Sequence, residues 1–169
     1  MFVSADKALK WAFMMSTIDI VKMSGMNRMC GKQTMGTRNE LLIGLDQQEA
    51  RQQAANIISV VYRLSDPVCV EYLLARHGRR FEEQDIGRLI ERVMFMLGGG
   101  TFNRRAVRKL VLCYFGCKIN RAEIRAEAGV CDNNLITEYR RKIYDALDAI
   151  GDRAIAEVEN MLKRASVVA

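Results

Sequence analysis

Proline occurs once in 169 residues and histidine once, and no Cys-x-x-Cys pair is present. Each scarcity removes a class of reading. A single proline, Pro67, suits long uninterrupted helices and argues against a Pro-rich tail. One histidine, His77, and few close carboxylate pairs leave little material for acid–base or nucleophilic chemistry, so the sequence argues against an enzyme. There is no run of about 18 uncharged apolar residues. The first stretch is also broken by Asp6, Lys7, Lys10, Asp19 and Lys22. The expectation is therefore no membrane span and no secretory segment, hence a cytoplasmic chain. Five cysteines, Cys30, Cys69, Cys113, Cys117 and Cys131, are an odd number without an export signal, which favours reduced thiols over a disulfide framework.

What the chain does have is apolar content and basic charge. At 50% hydrophobic and 27% charged residues it has the composition of one compact domain or two small ones rather than of a disordered tail. The formal net charge of +6 is unevenly spread. Residues 102–142 hold ten basic and four acidic groups, the equivalent of the whole net charge, whereas residues 143–169 hold three and five. A local excess of this kind is the electrostatic footprint of phosphate binding, and also what a solvated basic face produces.

The apolar periodicity is helical nearly throughout, and the fold class expected is all-α: an N-terminal helical hairpin region followed by a C-terminal helix-turn-helix DNA-binding bundle. Ser4 caps a first helix over 5–23 that is apolar on more than one side. Residues 24–39 hold three glycines and no periodicity, and read as a long loop whose Arg28, Lys32 and Arg38 suit contact with an acidic or adaptable partner. Asp46 and Glu49 stand at capping-box spacing before Ala50, Ala54, Ile57, Ile58, Val61 and Leu64. Asp66-Pro67 then opens a helix that stops at Gly78, which makes a helical hairpin with a tight corner. A further helix over 82–97 ends at Gly98-Gly99-Gly100. With no strand before it and no Gly-Lys-Ser/Thr after it, the triple glycine is not a P-loop, and it reads as a hinge. The expected division is 1–45, 46–100 and 101–169.

Asn103 and Asn120 each stand where they cap a helix, the first terminated by Gly116 and the second by Gly129, and Asp132 caps a third. The third would bury Leu135, Tyr139, Ile143 and Leu147, and a separate terminal helix is expected over 152–165. Three helices with a short turn between the last two make a helix-turn-helix, and Gly129 stands where a positive φ costs any other residue about 1 kcal/mol. In that geometry the first turns of the third helix face a major groove. Asn133, Asn134, Thr137 and Arg141 are then the candidates for base edges, because Asn matches adenine and Arg matches guanine with two hydrogen bonds each. Arg104, Arg105, Arg108, Lys109, Lys118 and Arg121 are candidates for backbone phosphates, with Arg140 and Lys142 beside them. Cys113, Cys117 and Cys131 are a weak candidate zinc set lacking a fourth ligand, against the alternative of thiols that pack as small apolar groups. No cofactor is expected.

The stretch from Ile124 to Val130, followed by a polar cap and Leu135, resembles the helix-turn-helix of phage regulators and of the promoter-reading region of sigma factors. At one position it departs from the pattern: Arg125 stands where a small alanine normally packs between the helices. Together with Asp66-Pro67 and the run from Tyr72 to Gly78, the layout over 46–150 resembles prophage late-gene regulators of the Q antitermination class. That resemblance implies double-stranded DNA beside a promoter and RNA polymerase holoenzyme with its sigma factor as partners, and read-through of terminators as the outcome. Two other classes remain open, a dimeric helix-turn-helix repressor or activator and a phage terminase small subunit. Oligomeric state separates them: a few copies, a two-fold dimer or a ring.

Overall fold

The computed structural model describes residues 2–17, 47–98, 103–129 and 132–167. Among these the chain is all-helical: α1 (Ala5–Thr17), α2 (Gln47–Val61), α3 (Pro67–Gly78), α4 (Glu83–Met96), α5 (Arg104–Tyr114), α6 (Arg121–Ala128) and α7 (Asn133–Arg164). No helix among the described residues is long and apolar enough to cross a membrane. Arg28, Lys32 and Arg38 with the rest of 24–39, the capping position Asp46, and Cys131 lie outside the described residues. The helices divide into two compact units, Met1–Tyr62 with Glu159–Ala169, and Arg63–Val158.

In the first unit, α1 starts at Ser4, whose Oγ accepts from the Lys7 backbone N–H at 3.4 Å. Ala5, Ala8 and Ala12 are fully buried beside Leu9, and α1 packs on α2 through the latter's Ala50, Ala54, Ile57 and Val61. Alanines at these spacings let two helix backbones approach closely while Trp11 and Phe13 supply the apolar area. The ends of the chain meet here, since the Phe2 N–H donates to the Val167 carbonyl at 2.9 Å and the Phe2 ring lies 5.2 Å from that of Trp11.

In the second unit, Asp66 has extended backbone and its Oδ1 accepts from the Val68 N–H at 2.9 Å, with Pro67 at the first helical position, which needs no donor. α3 buries Val68, Cys69, Tyr72, Leu73, Leu74 and Ala75, and packs against Ile86, Leu89, Ile90 and Val93 of α4. α4 meets α5, and α5 meets α6. Within their own units, α2 packs on α1 and α3 packs on α4. The second unit also runs across the triple glycine, with α4 and α5 in contact on either side of it.

α7 is one unbroken helix of 32 residues, about 48 Å long at 1.5 Å per residue. The separate terminal helix expected over 152–165 is its continuation. Its inward row is Ile136, Ile143, Ala146, Leu147, Ile150, Ala154 and Val158. The expected row began at Leu135 and included Tyr139; both are half-buried, and Ile136 takes the inner position. Gly151, within this helix, lies against the fully buried Tyr72 ring of α3.

Candidate nucleic-acid interface

The C-terminal part of the second unit is assembled by side-chain caps. Asn103 Oδ1 accepts from the Ala106 N–H at 2.9 Å to start α5, and Asn120 Oδ1 accepts from the Ala122 N–H at 3.0 Å to start α6. Gly129 closes α6 at φ 64°, its N–H bonded to the Arg125 carbonyl. Asp132 Oδ1 accepts from the Asn134 N–H at 2.8 Å at the head of α7. The junction from α6 to α7 is thus four residues, Gly129 to Asp132, with a left-handed glycine first and a capping carboxylate last. Ile124 is the buried residue of α6, and Ala106, Val107, Leu110 and Val111 are those of α5.

The candidate base-edge residues Asn133, Asn134, Thr137 and Arg141 are all exposed, on the side of α7 turned away from Ile136 and Ile143. Two of them already have side-chain partners. Asn133 Oδ1 accepts from the Arg125 guanidinium, and Thr137 Oγ1 donates to the Asn133 carbonyl at 2.9 Å. Arg140 lies over the Tyr144 ring, 5.0 Å from its centre. Lys142 Nζ pairs with Glu138 at 2.7 Å, which lowers the Glu138 carboxyl below its usual range.

The candidate phosphate residues sort into two groups. Arg104 reaches Glu83 and Glu91, each at 2.9 Å, and these hydrogen bonds, Glu91 first, raise its affinity for the proton further. Arg108 lies 3.1 Å from Glu83 and donates to the Phe81 carbonyl. Lys109 Nζ lies 3.6 and 3.4 Å from Glu123 and Glu127. Three cations are thus matched by four carboxylates, and this face of α5 carries no positive excess. Arg105, Lys118 and Arg121 are exposed and have no ion pair among the described residues, as is the case for Arg141. Apart from Arg105 in the first turn of α5, the unpaired cations of the basic segment lie just before and at the start of α6 and on the first turns of α7.

Arg125, at the position where the helix-turn-helix pattern has alanine, is half-buried, with its Nε enclosed and without a hydrogen-bond partner. A cavity of about 380 Å³, with Arg125 among its lining residues, lies between α5, α6 and α7. Leu110, Ile124 and Ile136 form part of its apolar wall, with Cys113 and Cys117 beside them. Sequence reasoning missed Arg125 as the tether of Asn133; its departure from the pattern was the available signal. Cys113 and Cys117 are free thiols, and burial raises the Cys113 thiol above its ordinary range, which keeps it protonated at neutral pH. No group of three metal-ligating side chains stands together among the described residues.

No protein-family model, curated protein or solved structure matches the chain.

Proposed function

We infer that the protein binds double-stranded DNA through a helix-turn-helix made of α6, the Gly129 turn and the first turns of α7, and that it regulates transcription. The observation that carries this reading is the sorting of charge. Arg104, Arg108 and Lys109 of α5 are matched by carboxylates, whereas Arg105 of the same helix and Lys118, Arg121 and Arg141 have no ion pair among the described residues, and Asn134, Thr137 and Arg141 are exposed on the first turns of α7. Free cations beside an exposed helix start that carries side chains able to read base edges are the arrangement expected of a DNA-reading surface. Phosphate positioning then falls to Arg105, Lys118, Arg121 and Arg140, and base recognition to Asn134 and Arg141, with Asn133 available once Arg125 releases it.

Alanine at Asn134 or Arg141 is expected to cost about 1–3 kcal/mol on the cognate site and to relax preference at one base pair. Alanine at Arg105 or Arg121 is expected to weaken binding to cognate and random duplexes alike. Competition binding on a randomised duplex library reads both. Equal losses on all sequences from both pairs would remove α7 as the reader.

The resemblance to the Q class supports a finer proposal, that the DNA-bound protein engages RNA polymerase holoenzyme and travels with it. The expected result is increased read-through at terminators far downstream in a purified transcription system, only when the binding element is present in cis. A repressor cannot act after polymerase has left its site, so loss of initiation with termination unchanged would favour the repressor instead.

A further inference from the structure

We propose that the cavity between α5, α6 and α7 is a binding site for a small amphipathic organic anion, whose apolar body occupies the interior and whose acidic head meets the arginines at its edge. The lining divides accordingly. Leu110, Ile124 and Ile136 are buried core residues that line this space, and Ile119 extends the same wall. Lys118, Arg121, Arg125 and Arg140 also line it, and no carboxylate does. On the neighbouring face of α5 every cation has a carboxylate within 4 Å, so four cations around one cavity with no acid form a local exception. An enclosed polar atom without a partner is costly, and the half-buried Arg125 has one: its terminal nitrogen donates to Asn133 at the surface while its Nε is enclosed and unpartnered. An anion seated in the cavity supplies the missing acceptor and charge, and arginine presents it with a bidentate fork. At about 380 Å³ the space falls within the range of small-molecule sites, about 300–1,000 Å³. A backbone phosphate of DNA has the charge but no apolar body to cover Leu110, Ile124 and Ile136.

The site stands independently of the DNA-binding reading, and the test uses no DNA. Fluorescence titration of the full chain with 8-anilino-1-naphthalenesulfonate is compared with N-phenyl-1-naphthylamine, a similar aromatic body without the acid. The sulfonate is expected to bind at one equivalent. Arg125→Met should weaken it about tenfold or more, the loss of one charge-assisted hydrogen bond, and leave the neutral probe unchanged. Cys117→Trp, placed outside the helices, fills the cavity and should abolish both; where that variant melts early, Thr137→Trp fills it from the side of α7. Absence of sulfonate binding below about 1 mM, equal weakening of both probes by Arg125→Met, binding that survives both filling variants, or displacement of the sulfonate by an equal concentration of inorganic phosphate would each overturn the proposal.

Discussion

Raising salt from 50 to 200 mM should lower the affinity of the protein for a DNA duplex by about a thousandfold. The figure follows from which cations are free. Arg105, Lys118, Arg121, Arg140 and Arg141 have no carboxylate partner among the described residues, and Lys142 is held only by an exposed pair one turn away, worth about 0.3–0.5 kcal/mol and easily exchanged for a phosphate. Six cations brought against the duplex, Arg141 from within the groove and the others on the backbone, release counterions with a log–log slope of about −5. Had Arg104, Arg108 and Lys109 been free as well, nine contacts would give a slope of about −8. The slope therefore measures the sorting of charge itself. A slope near −8 would mean that DNA draws those three cations away from Glu83, Glu91, Glu123 and Glu127. A flat response would remove the electrostatic basis of DNA binding altogether.

The two slopes differ because the segment count of charge was legible in the sequence and the pairing was not. Arg104 meets acids 13 and 21 positions away in the chain. No local spacing rule relates them, and only the packing of α4 on α5 brings them together. The caps lie at the opposite extreme. Asp66, Asn103 and Asn120 bond backbone N–H groups two or three residues ahead, so the chemistry that starts each helix is written within one turn of sequence. Gly129 was legible for the same reason, since its left-handed φ is a local demand of the turn. Helix partners and register were not. Leu135 and Ile136 are apolar neighbours, and periodicity over one turn does not decide which faces inward. The separate helix expected over 152–165 illustrates this: Gly151, the residue before it, is helical within α7, and its missing side chain makes room for an aromatic ring from a distant part of the chain.

That missing side chain leads to the largest stability effect expected in the molecule. Gly151→Ala pits two terms against each other. In a helix interior alanine is favoured over glycine by about 0.5–1 kcal/mol. Against this, a Cβ at position 151 would stand 2.4 Å from Tyr72 Oη and 2.6 Å from its Cζ. The ring has no room to retreat, for Tyr72 is fully buried and its hydroxyl is held on both sides. Arg76 donates to it at 3.0 Å, and it lies 3.0 Å from the Tyr114 hydroxyl, which donates in turn to Asp148. Because Tyr114 gives its proton to Asp148, Tyr72 is the donor between the two tyrosines. Burial first, then these bonds, raise the Tyr114 hydroxyl far above its ordinary range, so the chain of donors stays intact across physiological pH. Overpacking costs about 1–3 kcal/mol and breaking a buried hydrogen bond about 1–3 more. The net expectation is a loss of about 2–4 kcal/mol, which lowers the melting temperature of a unit of this size by about 10 °C or more. Tyr72→Leu alone removes the ring and the bond, and in the Gly151→Ala background it should cost less than in the native chain, a coupling of about 0.5–3 kcal/mol read by a double-mutant cycle in thermal melts. A Gly151→Ala protein that melts at or above the parent would show that helix propensity outweighs the contact and that α7 does not depend on this close approach.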